Sequence, residues 1–588
     1  MKLEFNKLLY QWGARQARWH SDRGNDEQAA RWGMAAAALA SGYGFMGLMA
    51  DPELEATIRE SGAKWPCSGL DRIDKGDGVR RTLHVLSEAH VTGGHTRLCY
   101  RWIELDSEDT RHSVVLTRQD FGIPQELSKR VEDSGGDLFV LNPTLPLLER
   151  AKILREYAES ADCVVLHIHS DDPLPLMAFA APGGAPVVIL NHGDHLFWLG
   201  VTIADAIAEI RNSGMDLSKR CRGSSVSKIL PIPIRADASR ETETVESIDN
   251  RALLREIARK ELGIPADAVV LLTIGTAYKY AAIDGLDFIE TALAILDQLP
   301  NTHIVAVGPG GDERWTSAVK RSGNRLHAVG QKENLESFHV LADIYIEGFP
   351  FGSLTALLEA GLAGLPCVLA PEVVPLPFRS DGPALDALRN PRTMSDYVAE
   401  VARLAIDPSA RKTEGSKLCD EISYYHIGDA WRKHLKNFME EIPEKHKTHW
   451  ADSAPMEANL TNYWASFLSS RSPFHPQSAL KLFYQTENFG FPLDGGIDDE
   501  LADGLIRLAR DSKKIAPENR LSQCFVEEAC RAYKAGERAR ILKCFFWFLR
   551  SRPSKEDYGL VGRLLSRLAI GDRAILPIKR IAGGTAGQ

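Results

Sequence analysis

After the apolar run Pro186–Leu190 the chain reads Asn191-His192-Gly193-Asp194-His195-Leu196-Phe197-Trp198. Such a run predicts a buried strand, so three titratable groups stand at its C-terminal end, where open α/β sheets keep their sites. Imidazole titrates near neutrality, and a neighbouring carboxylate fixes which ring nitrogen carries the proton. The pattern suits a base that deprotonates an attacking hydroxyl. His195 is the first choice, Asp194 the second, and His192 stands beside them. His167-Ile168-His169 alternates at the end of another expected strand, with both rings on one face and His169 nearer the edge. His-x-His and His-x-x-His spacings also admit a metal on His167, His169, His192 and His195. That set, however, lacks the cysteines and paired carboxylates common in such sites.

A second segment suits phosphate. Residues 347–369 read Glu-Gly-Phe-Pro-Phe-Gly-Ser-Leu-Thr-Ala-Leu-Leu-Glu-Ala-Gly-Leu-Ala-Gly-Leu-Pro-Cys-Val-Leu: strand end, glycine turn, helix, glycine turn, strand. Phe351, Gly352 and Ser353 lead into the helix and Leu354 and Thr355 begin it, so backbone N–H groups point where an anion would sit. Glu359 lies about two turns in and can accept both hydroxyls of a ribose. The bland reading is a plain βαβ unit with an exposed glutamate.

A third glycine turn, Glu88-Ala-His-Val-Thr-Gly-Gly-His-Thr-Arg, follows a strand and opens a helix. Gly93 and Gly94 let a ligand approach the backbone, with His95 beside them. The third spaced glycine of a dinucleotide fingerprint is missing, as is the Lys-Ser/Thr of a nucleotide triphosphate loop.

The elements that position these groups fall into four blocks. Residues 1–78 are helical, with Phe5, Leu8, Leu9 and Trp12 at helical spacing and Asp51-Pro52 as a helix start. Residues 79–235 carry apolar runs at Leu83–Leu86, Ser113–Leu116, Leu138–Leu141, Cys163–Ile168 and Val187–Leu190, the spacing of βα units. The run Leu230-Pro231-Ile232-Pro233-Ile234 closes this block and cannot be helical. Residues 236–445 repeat the βα pattern at Val269–Gly275, His303–Val307, Leu326–Val329, Ile344–Ile346 and Cys367–Leu369, with a helix over Leu286–Leu299. Residues 446–588 return to helices at Glu500–Arg510, Ser522–Ala535 and Ala539–Leu549, and Phe545–Phe548 is read as helix core. Two parallel α/β units in series predict two Rossmann-like lobes facing a cleft, flanked by helical regions at both ends.

The totals narrow the class. A chain of 588 residues exceeds one core, and a net charge of -9 argues against a nucleic-acid partner. Nine cysteines without a Cys-x-x-Cys pair, three of them (Cys99, Cys163, Cys367) in apolar runs, suit a reducing, cytoplasmic setting. The start has no apolar signal core. The stretch Trp32–Ala50 is uncharged but rich in Ala, Gly and Ser, and reads as a packed helix pair rather than a membrane span.

The 347–369 segment resembles the donor site of GT-B glycosyltransferases. Its Phe349-Pro350-Phe351-Gly352 opening, with an acid seven residues after the glycine, is similar to bacterial cytoplasmic protein N-glycosyltransferases related to O-GlcNAc transferase. It also resembles the glycogen-synthase-like retaining group. That group carries a second glutamate eight residues before the ribose one; here Phe351 stands there and Glu347 is twelve away, which tilts the expectation toward inversion.

The resemblance, spanning about 80–440, implies further roles. Lys279, in Thr273-Ile-Gly-Thr-Ala-Tyr-Lys-Tyr, would hold the diphosphate and offset charge on the leaving group, with Gly275 and Thr276 in the same loop. Thr276 occupies the neighbourhood where the retaining group often has an arginine. Gly308 belongs to a family-like turn, and Gly330 follows the strand that contacts the base. The Gly93–His95 loop and His169 would face the acceptor.

No strand ends in Asp-x-Asp, and Ser170-Asp171-Asp172 does not match that pattern, so no catalytic metal is expected. The expected donor is a nucleoside-diphosphate sugar, UDP-linked, and the acceptor a protein or glycan. The helical regions could bind a protein acceptor or form a homo-oligomer, and a lipid-linked acceptor would bring the chain to the inner membrane face. The alternatives are a sugar-nucleotide epimerase or a degenerate GT-B scaffold.

Overall fold

The computed structural model describes residues 2–42, 44–65, 78–91, 94–235, 245–471, 498–511 and 538–550, with isolated positions between 525 and 532. They form two compact units. One is Gly47–Ser472; the other joins Met1–Met46 to Pro473–Gln588.

The larger unit holds two parallel sheets. The first contains β1 (Arg80–Leu86), β2 (Thr110–Leu116), β3 (Leu138–Val140), β4 (Cys163–His167), β5 (Val187–Asn191), β6 (Ala206–Glu209) and β7 (Ser227–Ile229), in the order β3-β2-β1-β4-β5-β6-β7. The second contains β8 (Val269–Ile274), β9 (Thr302–Val307), β10 (Leu326–Ala328), β11 (Ile344–Ile346) and β12 (Cys367–Val368), in the order β10-β9-β8-β11-β12. Every pairing is parallel. Strand order reverses between β1 and β4 and again between β8 and β11. Each reversal opens a crevice at the strand C-termini, where a ligand fits.

Helices cover both faces of each sheet, which is why the central strands are apolar throughout. Val164, Val165 and Leu166 are fully buried, as are Val270, Leu271 and Leu272. The expected strands form within one to three residues of their predicted ends. The sequence reading missed β6 and β7. Ala-Ile-Ala-Glu and Ser-Lys-Ile carry too little apolar signal to stand out, and their pairing to β5 imposes the strand conformation.

Leu230–Ile234 is extended and buried, as its two prolines require. It runs between the lobes and is clamped by the second: Ile234 N donates to His426 O at 2.9 Å, and Trp431 Nε1 to Pro231 O at 2.6 Å. One apolar core runs through residues of both lobes, from Cys163 and Val188 to Val305 and Leu357.

Two boundaries differ from the sequence division. The helix Pro52–Ala63, capped by the Asp51 carboxylate, packs inside the larger unit rather than with residues 1–46. Its buried Glu55 accepts hydrogen bonds from the backbone N–H groups of Gly200, Val201 and Thr202. A side chain at Gly62 would strike the Met177 carbonyl at 1.9 Å. Residues 446–471 also stay with this unit. His446 Nδ1 pairs with Asp205 Oδ2 at 2.6 Å, and the helix Ala458–Arg471 follows.

In the smaller unit the helices Lys2–Ser21 and Asp26–Ser41 pack through Trp12 and Trp32, whose ring centroids are 5.0 Å apart, edge to face. The helix Asp499–Asp511 joins them, and Arg15 forms a two-pronged pair with Asp498. The uncharged stretch from Trp32, expected to be a packed helix pair, instead completes one buried helix as far as Ser41, and residues 44–50 that follow are not helical. Among the described residues no helix is long and apolar enough to cross a membrane. Most of Ser522–Ala535 lies outside the described residues. Trp547 and Phe548 are core as expected, whereas Phe546 is exposed.

Candidate functional site

The second lobe builds its side of the cleft from three glycine turns and one helix. Gly308, at a positive φ of 112° after β9, lies so close to the turn after β8 that a Cβ would sit 2.0 Å from Gly275 O. Gly308 N donates to Gly330 O at 2.8 Å, which adds the turn after β10. Gly275, Gly308 and Gly330 therefore lie together. Thr276 is exposed and precedes the short turn Ala277–Tyr280 that carries Lys279.

Lys279 meets the predicted phosphate helix. Its Nζ donates to Gly352 O at 2.9 Å and to Ser353 Oγ at 3.0 Å, and lies 5.0 Å from the Phe351 ring centroid. Burial, helped by nearby Arg211, pushes its pKa down to about 8. The helix Leu354–Leu362 starts at Ser353 without a side-chain cap, so its first turn, including Leu354 and Thr355, presents backbone N–H groups toward this lysine loop. Gly352 is required: a Cβ there would lie 2.1 Å from Glu347 Oε1. Glu347 cannot retreat, because its carboxylate accepts from Ala370 N and Ser380 N, both at 2.8 Å. Glu359 has a partner in the other lobe, Arg101 Nη2, at 2.9 Å.

The first lobe supplies the titratable groups. His195 Nδ1 lies 3.2 Å from Asp194 Oδ1, an arrangement that puts the ring proton on Nδ1 and leaves Nε2 as an acceptor. Burial works to raise the Asp194 pKa, but the Arg211 guanidinium, which grips both oxygens, outweighs it and holds the carboxyl well below its usual range. Asp194 is thereby committed to orienting His195, and as a base it is too weak. Burial lowers His195, with Asp194 opposing. The His195 ring packs edge-on against Phe351 at 4.9 Å and Trp464 at 5.1 Å.

His192 turns elsewhere. Its ring stacks on His95 at 5.5 Å, its Nδ1 lies 3.3 Å from Leu190 O, and burial pushes its pKa down to about 3. His95 Nε2 donates to Glu88 O at 2.8 Å, and the His95 and His169 rings are 5.6 Å apart. Gly94 opens the helix Gly94–Asp106, and a Cβ there would meet nothing within 4 Å, so packing does not demand the glycine. Gly93 lies outside the described residues. The predicted groups thus form two clusters: His195 beside Phe351 and the Lys279 loop, and His192, His95 and His169 packed together elsewhere in the first lobe.

Two groupings have the composition of metal ligands, Glu88/His90/His169 and His84/Cys99/His167, each with its ligand atoms within 4.8 Å of one another. In the first, Arg118 already serves as the cation, with Nη2 2.7 Å from His169 Nδ1 and Nε 3.4 Å from Glu88. In the second, His84 spends both nitrogens on His112 and His167.

No protein-family model matches the chain. Over 236 residues, 38% of its length, it is 28% identical to the UDP-N-acetylglucosamine–N-acetylmuramyl-(pentapeptide) pyrophosphoryl-undecaprenol N-acetylglucosamine transferase of Clavibacter michiganensis. The chain spans 56% of that curated relative. Similar solved structures include an O-GlcNAc transferase variant of Thermobaculum terrenum, with 13% identity, a TM-score of 0.44, and coverage of 79% of this chain and 85% of that one. The sucrose-phosphate synthase of Thermosynechococcus elongatus follows, with 14% identity, a TM-score of 0.41, and coverage of 62% and 99%. Two parallel sheets with facing switch points, joined by one buried linker, are the decisive observation. The fold is GT-B.

Several residues of this GT-B cleft escaped the sequence reading. Arg211 follows β6, a strand that was itself missed. Arg101 sits in the helix Gly94–Asp106, four residues past the glycine turn that was singled out, and nothing in the local pattern marks its partner. Tyr463, Trp464 and Phe467 belong to a helix assigned to the C-terminal region. Tyr463 OH donates to Pro350 O at 2.6 Å, while Trp464 stacks on Phe378 and Phe467 at 5.2 Å. Their i, i+1, i+4 spacing marks one helix face but does not say what that face covers.

Proposed function

We propose that the protein transfers a sugar, with inversion, from a nucleoside-diphosphate sugar to a protein or glycan acceptor, with UDP as the expected carrier. One observation carries the reading: the Phe351 ring contacts both Lys279, at 5.0 Å, and His195, at 4.9 Å. A cation and helix start suited to a diphosphate therefore adjoin a histidine whose tautomer suits a base. The 28% identity over 236 residues to a curated N-acetylglucosamine transferase supports the same reading.

In this mechanism Lys279, Ser353 and the first turn of Leu354–Leu362 hold the diphosphate, and their positive charge offsets that building on the leaving group. This division of labour needs no divalent cation. Glu359 accepts the ribose hydroxyls once Arg101 releases it. His195 Nε2 takes the acceptor hydroxyl proton as oxygen attacks the anomeric carbon; Asp194 and Arg211 keep the ring oriented and stabilise the imidazolium. The departures from the retaining pattern support inversion, because Phe351 offers no carboxylate and Glu347 has committed both oxygens to backbone N–H groups.

The test is binding of nucleoside diphosphates and their sugars, without added metal, to the full chain and to Lys279→Ala, followed by the anomeric configuration of any product. Selective binding lost in the variant supports the donor site, and an inverted product the mechanism. Sugar conversion without an acceptor would point to an epimerase. Binding partners without turnover, or no nucleotide binding by folded protein, would point to a scaffold.

A further inference from the structure

A buried arginine holds the loop that carries His195, and the mechanism above gives it no part. Arg222, two residues past the helix Asn212–Arg220, is fully buried. Its Nη2 donates to Asp194 O at 2.9 Å and to Leu196 O at 2.7 Å, and its Nη1 donates to Ser218 Oγ at 3.1 Å. The guanidinium also lies over the Trp198 ring, 4.7 Å from its centroid. Each of these contacts except Ser218 ends on the loop Asp194–Trp198.

The two carbonyls bracket the proposed base. Asp194 O belongs to the peptide before His195, and Leu196 O to the peptide after Leu196. Peptide groups are planar, so one guanidinium nitrogen fixes the backbone on both sides of the His195–Leu196 pair. Leu196 N closes the turn by donating to Gly193 O at 2.9 Å. The Asp194 side chain is held separately, by Arg211. Arg211 thus acts on the tautomer through the carboxylate, while Arg222 acts on where the ring stands.

Arg222 is itself backed by a distant segment. Gly223 turns at a positive φ of 69°, and a Cβ there would lie 2.5 Å from the Asp452 backbone. Ala454 N donates to Cys221 O at 3.0 Å. This segment leads into the helix Ala458–Arg471, which brings Trp464 against the His195 ring at 5.1 Å.

A cation is costlier to bury than a neutral amide. Burial pushes the Arg222 pKa down to about 10, with Glu209 and Asp194 opposing, so the group stays charged at neutral pH. Glu209, on β6, accepts from Asn191 Nδ2 at 2.8 Å, at the start of the same loop. The guanidinium offers planar, forked donors and a face that covers an indole, a combination that neither an amide nor an ammonium has.

We propose that Arg222 is a positioning residue for His195, holding the Asp194–Leu196 backbone so that the imidazole keeps its bond to Asp194 and its place against Phe351. The proposal rests on the glycosyl transfer described above, in which His195 Nε2 receives the acceptor proton. A misplacement of about 1 Å costs up to about a hundredfold in rate. Lys279 and Ser353 belong to the other lobe and bond each other, so nucleotide binding does not depend on Arg222.

The test compares Arg222→Gln, Arg222→Lys and Arg150→Gln in the full chain. Arg150 is another buried arginine, but it bonds Thr117 O after β2, so its variant reports the loss of a buried arginine on the fold alone. Arg222→Gln should lower kcat about tenfold or more, with donor KM and UDP affinity within about twofold. Arg222→Lys should recover part of that loss, and folded Arg150→Gln should keep the wild-type kcat. A kcat loss no larger in Arg222→Gln than in Arg150→Gln, or one matched by lost UDP affinity, would overturn the proposal. Should Arg222→Gln not fold, Ser218→Ala removes only the Nη1 partner and should lower kcat about threefold at constant donor KM; an unchanged kcat would overturn the proposal equally.

A second readout needs no turnover. Selective 15N labelling of histidine at pH 7.5 should show His195 neutral with its proton on Nδ1 in wild type, and a mixture of tautomers in Arg222→Gln or Arg222→Lys. Identical His195 signals in wild type and variants would remove the positioning role. Altered His195 signals in a chain that transfers no sugar would uphold the hold on the loop and fault the glycosyl-transfer reading instead.

Discussion

Arg101 of the first lobe donates through Nη2 to Glu359 of the second at 2.9 Å, with both side chains mostly shielded from water. The carboxylate proposed to hold ribose is thus already engaged from across the cleft, and Asp381 ties the lobes again through Ser213 N and Oγ at 2.8 and 2.7 Å. A nucleotide must displace Arg101 to reach Glu359. Removing a pair of about 1 kcal/mol should make UDP bind Arg101→Gln about fivefold more tightly, and Glu359→Gln more weakly than wild type. Calorimetric titration reads both; weaker binding by Arg101→Gln would mean that the arginine serves the ligand instead.

Lys279 should make donor binding pH-dependent. Its free-protein pKa of about 8 means that the ammonium is present below that pH and lost above it. Affinity for a nucleoside diphosphate should therefore be full near pH 7 and fall as pH rises through 8 to 9. Lys279→Ala should lose at least tenfold in affinity and show a flat profile, checked by titration at pH 6.5, 7.5 and 9.

Gly352→Ala should damage both fold and site. The added methyl would lie 2.1 Å from Glu347 Oε1, and that carboxylate is pinned by two backbone donors. A cost of about 2 kcal/mol is expected, seen as a lower urea midpoint, together with loss of nucleotide binding. An unchanged midpoint would show that the Glu347 bracket can yield.

His195→Ala should lower kcat by about a hundredfold or more with little change in nucleotide affinity. Asp194→Asn leaves an amide that can hold His195 in the wrong tautomer and strips Arg211 of its counter-charge, so it should fall by a similar factor. Single-turnover rates compared with UDP titrations separate the two quantities. Loss of binding without loss of rate would move these residues out of catalysis.

Buried neutral histidines also predict a stability signature. His84 has a folded pKa well below its unfolded value of about 6.5, so the unfolded chain takes up a proton that the folded one refuses. The stability tied to this is complete above pH 6.5 and is lost as pH falls, by about 1.4 kcal/mol per pH unit. The stability of His84→Phe relative to wild type should therefore rise by that amount per unit between pH 6 and 5. A constant difference across that range would show that His84 titrates normally.

Much of this arrangement was legible in the chain itself. The apolar runs at Cys163–Ile168 and Val269–Gly275, and the glycine turn before Leu354, are local signals, and each formed the element they specify. Lys279 and Ser353, named separately, meet at 3.0 Å. The role of Asp194 was harder to see, because Arg211 follows a strand too short and too weakly apolar to announce itself. Gly94, read as a place where a ligand approaches the backbone, has open space beside it, so no protein packing explains the glycine.

The sequence by itself determined two successive parallel α/β units, the glycine turns that cap their strands, and the short list of groups able to do chemistry. All of these depend on residue type and on spacing over a few positions. Only the tertiary structure decided that His195 and not His192 meets Phe351, that Glu359 is held by Arg101, 258 residues away, and that the Ala458–Arg471 helix returns to cover Phe351. It also decided that His84, His112 and His167, spread over 83 residues, come within hydrogen-bonding distance of one another in series. Such contacts are set by how strands order and helices pack, and no local pattern in the chain encodes which distant partner fills the space beside a given side chain.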